Sequence, residues 1–116
     1  MKTHILGVIL RASKRNKTAE FYKALGLSTH EHAHGGPKHH EIGPLADDAV
    51  VELYQQSAEY SRDALIVGVS SLDEALAVAV SFRVRIDTRL VETKRMAYIT
   101  DPDGRSILLI EQGTDQ

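Results

Sequence analysis

The stretch Ala97–Glu111, AYITDPDGRSILLIE, decides how the chain is read. Its Asp101-Pro102-Asp103-Gly104 run puts a residue of fixed φ and a residue free to take positive φ where a tight antiparallel turn needs them. Tyr98, Ile99 and Thr100 lead in. Ile107 to Ile110 lead out as an apolar run long enough for a strand and too short for a helix. The spacing predicts a closing hairpin from about Arg95 to Glu111, with Gly113 to Gln116 as a frayed tail.

Working back from the hairpin, Arg83 to Arg89 alternates strictly. Val84, Ile86 and Thr88 fall on one face, and Arg83, Arg85, Asp87 and Arg89 on the other, which predicts a strand whose arginine face is a solvated edge. Ser71-Leu72-Asp73-Glu74 is a capping box opening a helix with Leu72, Ala75, Leu76, Ala79 and Val80 on one face. Ala64 to Ser70 is an apolar strand, and the polar stretch Gln55 to Asp63 before it is a linker. Ala49 to Tyr54 is a strand carrying one carboxylate, Glu52. From Leu27 to Gly43 the glycines of Gly35-Gly36-Pro37 predict a second hairpin. A helix over 17–25, capped by Asn16 or Ser13 and ended by Gly26, carries Phe21, Tyr22 and Leu25 at helical spacing. Ile5 to Arg11 is the first strand. Arg11, Lys14, Arg15 and Lys17 follow its apolar run too closely for a secretory leader.

The order is strand, helix, three strands, given twice. It predicts a single α+β domain of two βαβββ modules, about 3–54 and 64–112, joined by the linker 55–63. A chain of 116 residues, 42% hydrophobic and 26% charged, supports one packed core without a disulfide or metal. Fourteen basic against sixteen acidic residues, with no one-sided block, argue against a nucleic-acid partner. The composition also argues against a membrane partner. With no cysteine there is no disulfide framework, thiolate site or cysteine nucleophile, and cytoplasmic is the default localisation.

The phrases Glu20-Phe21-Tyr22-Lys23-Ala24-Leu25-Gly26-Leu27 and Asp101-Pro102-Asp103-Gly104, set in this doubled order, resemble the vicinal-oxygen-chelate superfamily. That group includes glyoxalase I, bleomycin resistance proteins and extradiol dioxygenases. The resemblance implies curved mixed sheets around a cup, helices on the convex side, a small-molecule ligand in the cup and a homodimer. In metal-dependent members four strand positions offer His or Glu to one divalent ion. Here those positions fall on Gly7, Glu52, about Ala64, and Leu108. His4 and Glu111 lie an odd number of residues away and so on opposite faces. With one donor of four retained, the usual metal site is not expected, and a divalent metal stays open only through other ligands.

Glu52 shares a face with Val50 and Tyr54, the face the resemblance turns toward the cup. It is the candidate catalytic residue, as a general base, against the plainer reading of a solvated strand carboxylate. Arg11, in phase with Gly7 and Ile9, is a candidate anchor for an anionic group, or else one half of a strand-end ion pair. Five of the six histidines lie between His30 and His40. His30, His32 and His34 share a face, and the turn could bring His39 or His40 beside them as a zinc site, or simply leave a His-rich polar hairpin. Gly36-Pro37-Lys38-His39 also resembles a stretch of uncharacterised superfamily members, which makes His39 a candidate ligand contact, with Tyr54 a further one. The expected function is a small-molecule-binding protein, with Glu52 acting and Arg11, His39 and Tyr54 binding. A metal-dependent lyase or isomerase is the alternative, and an interaction scaffold with a filled cup is a third. Gly7, Ala64 and Gly68 are small and speak for an open cup.

Overall fold

The computed structural model describes residues 1–33, 36–43, 49–91 and 94–113. Its elements run β1 (Thr3–Ala12), α1 (Arg15–Ala24), β2 (Ser28–His32), β3 (His39–Gly43), β4 (Val50–Gln55), β5 (Ala64–Val69), α2 (Leu72–Ser81), β6 (Ile86–Val91), β7 (Lys94–Thr100) and β8 (Ser106–Glu111). The α+β class and the doubled strand-helix-three-strand order are therefore what the chain adopts. It forms two compact units, Gly7–Asp63 and a second of Met1–Leu6 with Ala64–Gln116.

In the first unit the strand order is β2-β3-β4-β1. β4 pairs parallel to β1 and antiparallel to β3, and β3 is antiparallel to β2. The pleat sends alternate residues to opposite faces. One face packs Ile42 and Leu53 against Ala19 of α1, with Leu10, Tyr22, Leu27 and Val51 around them. Leu53 is 1% exposed, so cutting it to alanine would cost about 2–5 kcal/mol. The other face carries Arg11, His39, Glu41, Glu52 and Tyr54, with Ile9 and Val50 in the same phase.

In the second unit the order is β1-β5-β8-β7-β6, with β8 parallel to β5 and antiparallel to β7. Val69, Ala97 and Leu109 pack against Leu72 and Ala75 of α2. The closing turn forms as its residues require. The Gly104 N–H donates to the Asp101 carbonyl, Gly104 takes φ +87°, and the Asp101 carboxylate accepts from the backbone N–H groups of Asp103 and Arg105. Of the expected tail, residues 114–116 lie outside the described residues.

Two local expectations are corrected. The first helix starts at Arg15 and its N-cap is Lys14, whose side chain makes no capping bond. The Gln55 side chain does the work instead. It accepts from the Arg15 N–H and donates to the Ser13 carbonyl, so neither Ser13 nor Asn16 is needed as a side-chain cap. Arg83 is not in a strand: with φ +58° it closes α2, donating its N–H to Val80 while Val84 donates to Ala79. That helix stop overrides the alternating pattern, and the strand begins at Ile86. Of the arginine face read there, the Arg89 side chain lies outside the described residues. The stretch 56–63 is held in place. The Gln56 N–H donates to the Ala12 carbonyl, and Asp63 accepts from the Arg11 N–H.

Candidate functional site

The polar face of the first unit follows from strand register alone. His32 lies opposite His39, His30 opposite Glu41, Glu41 opposite Glu52, His39 opposite Tyr54, and Tyr54 opposite Arg11. All of these point away from α1, because the intervening residues Ile42, Leu53 and Leu10 are in its core. Glu52, Arg11, His39 and Tyr54, which the sequence singles out one by one, thus fall on one face of one unit.

His39 is the centre of this face, 1% exposed. Its ring stacks on Tyr54 at 4.6 Å and lies 6.2 Å from the ring of His32. Nδ1 faces the Pro37 carbonyl oxygen at 3.5 Å. Nε2 faces the other way, 3.6 Å from Glu52 Oε2 and 4.0 Å from Glu41 Oε2. The second oxygen of Glu41 lies 3.5 Å from His32 Nε2. On the far side of Tyr54, the Arg11 guanidinium carbon sits 4.7 Å from the Tyr54 ring centre and 5.1 Å from that of Tyr60. Two aromatic faces hold this cation in place, a cation–π geometry. Tyr60 comes from the stretch read in the sequence as a linker.

His40, left open beside His39 in the sequence, is on the opposite face, across from Glu31. Burial holds its imidazole below the usual value, and the nearby Arg15 adds to the effect. Arg15 itself pairs with Glu31 at 2.8 Å and donates to the Lys38 carbonyl, tying the start of α1 to the β2–β3 hairpin. His34, the third of the alternating histidines, lies outside the described residues. Glu41 is the residue that sequence reasoning missed. Its signal was its two-residue spacing from His39, but only the β3–β4 register shows that it meets Glu52. A cavity of about 180 Å³ opens beside His30 and Glu41. A larger one of about 640 Å³ is lined by Lys14, Lys17, Pro37 and Lys38.

The superfamily's metal positions do not fit a four-donor site here. The two units can be aligned on one shared contact: the N–H of the first residue of α2, Leu72, donates to Glu111 at the end of β8, as that of Arg15 does to Gln55 at the end of β4. Counting back three residues pairs Leu108 with Glu52. The parallel registers likewise pair Ala64 with Gly7, through Ser106 and Val50. Leu108 and Ala64 are buried and apolar, at 8% and 5% exposure. A Cβ at Gly7 would lie 1.8 Å from the Val50 carbonyl oxygen, so that position cannot carry any side chain as the strands stand. Glu111 serves as a helix cap, not as a donor on the polar face.

No family model matches the sequence, and no curated protein matches it. Solved structures do match in fold. Methylmalonyl-CoA epimerase from Mycobacterium tuberculosis superposes with a TM-score of 0.65 at 21% identity, over 95% of this chain and 88% of that one. A glyoxalase/bleomycin resistance protein/dioxygenase superfamily member from Vibrio splendidus 12B01 gives 0.62 at 11% identity, over 96% and 100%. An extradiol ring-cleaving dioxygenase from B. fuscum gives 0.66 at 17% identity, over 95% of this chain and 32% of its own. The doubled βαβββ order, the FYKALG and DPDG phrases and these superpositions together show that the chain has the fold of the vicinal-oxygen-chelate superfamily.

Proposed function

We propose that the protein binds a small, oxygen-rich organic anion on the polar face of the Gly7–Asp63 unit. The observation that carries this reading is Arg11, held between the rings of Tyr54 and Tyr60 on the same face as His39, Glu41 and Glu52. A guanidinium fixed this way presents its fork to a carboxylate or phosphate with little entropy left to lose. Tyr54 and His39 would flank the ligand, and Glu52 would accept a hydrogen bond from it. Differential scanning fluorimetry against a panel of 2-oxo acids, hydroxy acids and phosphate esters tests the reading. A hit should raise Tm in wild type and fail to do so in Arg11→Met. A panel without a single shift, or shifts that Arg11→Met leaves intact, would refute it.

A second reading, a metal-dependent lyase or isomerase, is favoured by the placement of Glu52 Oε2 3.6 Å from the buried His39 nitrogen. Glu52 would then take a proton from carbon next to a carbonyl group, and Glu52→Gln should abolish turnover without lowering Tm.

A further inference from the structure

We propose that His39, Glu41 and Glu52 form a divalent transition-metal site that lies wholly within the Gly7–Asp63 unit, on β3 and β4. It keeps Glu52, one of the four donor positions of metal-dependent superfamily members, and takes its other two donors, His39 and Glu41, from β3. One ligand atom from each of the three residues falls within 4.8 Å of the other two.

The separations point to an ion. Direct hydrogen bonds between imidazole and carboxylate would bring N and O to about 2.7–2.9 Å. Here Nε2 stands 3.6 Å and 4.0 Å from the two carboxylate oxygens. Donors bonded to one ion at about 2.0–2.2 Å cannot be more than about 4.4 Å apart, and neighbours in its shell are closer. The observed gaps fall within the spacing that donors around one cation can have.

The orientation of each donor agrees. The Pro37 carbonyl beside Nδ1 favours the tautomer with the proton there, which leaves the Nε2 lone pair directed at the carboxylates, the second-shell arrangement of metal-binding histidines. Stacking on Tyr54 fixes the ring. His32, beside the other oxygen of Glu41, turns Oε2 toward the cluster. Two carboxylates balance a divalent charge. One imidazole with two carboxylates suits Mn²⁺, Fe²⁺, Co²⁺ or Zn²⁺ rather than the all-oxygen shell of Ca²⁺ or the sulfur ligands of Cu⁺. Three protein donors leave coordination positions for oxygens of a ligand, with the Arg11 cation on the same face.

The site supplies the ion that the lyase or isomerase reading needs, but it rests on the donor geometry alone. It is tested with no organic ligand present, so its failure and the failure of the ligand-binding reading are distinct results. Tag-free protein is titrated with Co²⁺, followed by calorimetry and by visible absorption, and then with Zn²⁺ in competition. Wild type should take up one Co²⁺ per chain with micromolar affinity and gain a d–d absorption band, which Zn²⁺ removes. Glu41→Gln and Glu52→Gln alter side chains that are not fully buried and should fold. Each should weaken Co²⁺ binding by at least about tenfold, while His30→Gln leaves it within about twofold. Two results would overturn the proposal. One is no saturable uptake by wild type; the other is uptake that Glu41→Gln and Glu52→Gln leave unchanged, which would assign the ion to other histidines.

Discussion

Gly7 and Gly68 are both strand glycines, and the same added methyl group would meet different surroundings in each. At Gly7, with φ +157°, a Cβ would run into the Val50 backbone carbonyl. At Gly68 the nearest atom, 2.6 Å away, is the far end of the flexible Gln112 side chain. Gly7→Ala should therefore cost at least about 2 kcal/mol in urea unfolding, and Gly68→Ala less than about 1 kcal/mol. The sequence presented Gly7 as a small residue with no donor to offer, since a close backbone approach leaves no mark in a single chain. The same limit hid Glu41. The parity of His39, Glu52, Tyr54 and Arg11 within their own strands was legible, but the alignment of one strand against the next depends on where each hairpin turns. The β2–β3 turn includes His34 and Gly35, which lie outside the described residues.

Helix and hairpin ends show where local rules held and where they were overridden. The Ser71 cap formed as its spacing foretold, accepting from the Glu74 N–H at 3.1 Å. Arg83 misled because its neighbours alternate like a strand, while the position itself ends a helix, as Gly26 ends α1 with φ +101°. Both stops use the same pair of backbone bonds, with Gly26 and Leu27 donating to Lys23 and Tyr22. A glycine at 83 removes the penalty of a left-handed residue, so Arg83→Gly should stabilise the protein by about 1 kcal/mol, read from the urea midpoint at unchanged m-value. At the closing turn, the backbone N–H of Arg105 is the main cause holding the Asp101 carboxyl below its usual value of 3.8. A carboxyl depressed in the folded state adds stability that is complete above its unfolded value and is lost as pH falls through the folded one. Wild type should thus melt above Asp101→Asn at neutral pH, and the gap should close as pH drops below 3.8.

At the level of the whole molecule, two copies of one plan have diverged on a single face. The helix-facing cores repeat, and so does the contact from the end of the last strand to the first helical amide. Away from the helices, the first unit carries Arg11, His39, Glu41 and Glu52, while by the strand registers the matching positions in the second carry Gly68, Met96, Tyr98 and Leu108. Restoring a carboxylate by Leu108→Glu should consequently cost about 3 kcal/mol or more in unfolding free energy, since it would put an unpaired charge at an apolar, buried position. This doubling was plain in the sequence because element order and length survive divergence. Which unit carries the polar face was legible in part, from Glu52 against Leu108.

Strand β1 belongs to both units, changing allegiance between Leu6 and Gly7. Its opening residues bond to the second unit: the Lys2 N–H donates to Ser70 Oγ, and the Ser70 N–H donates to the Lys2 carbonyl. During synthesis residues 1–6 must therefore wait for a partner segment that is made only after the whole Gly7–Asp63 unit, a contact of high sequence separation that closes late.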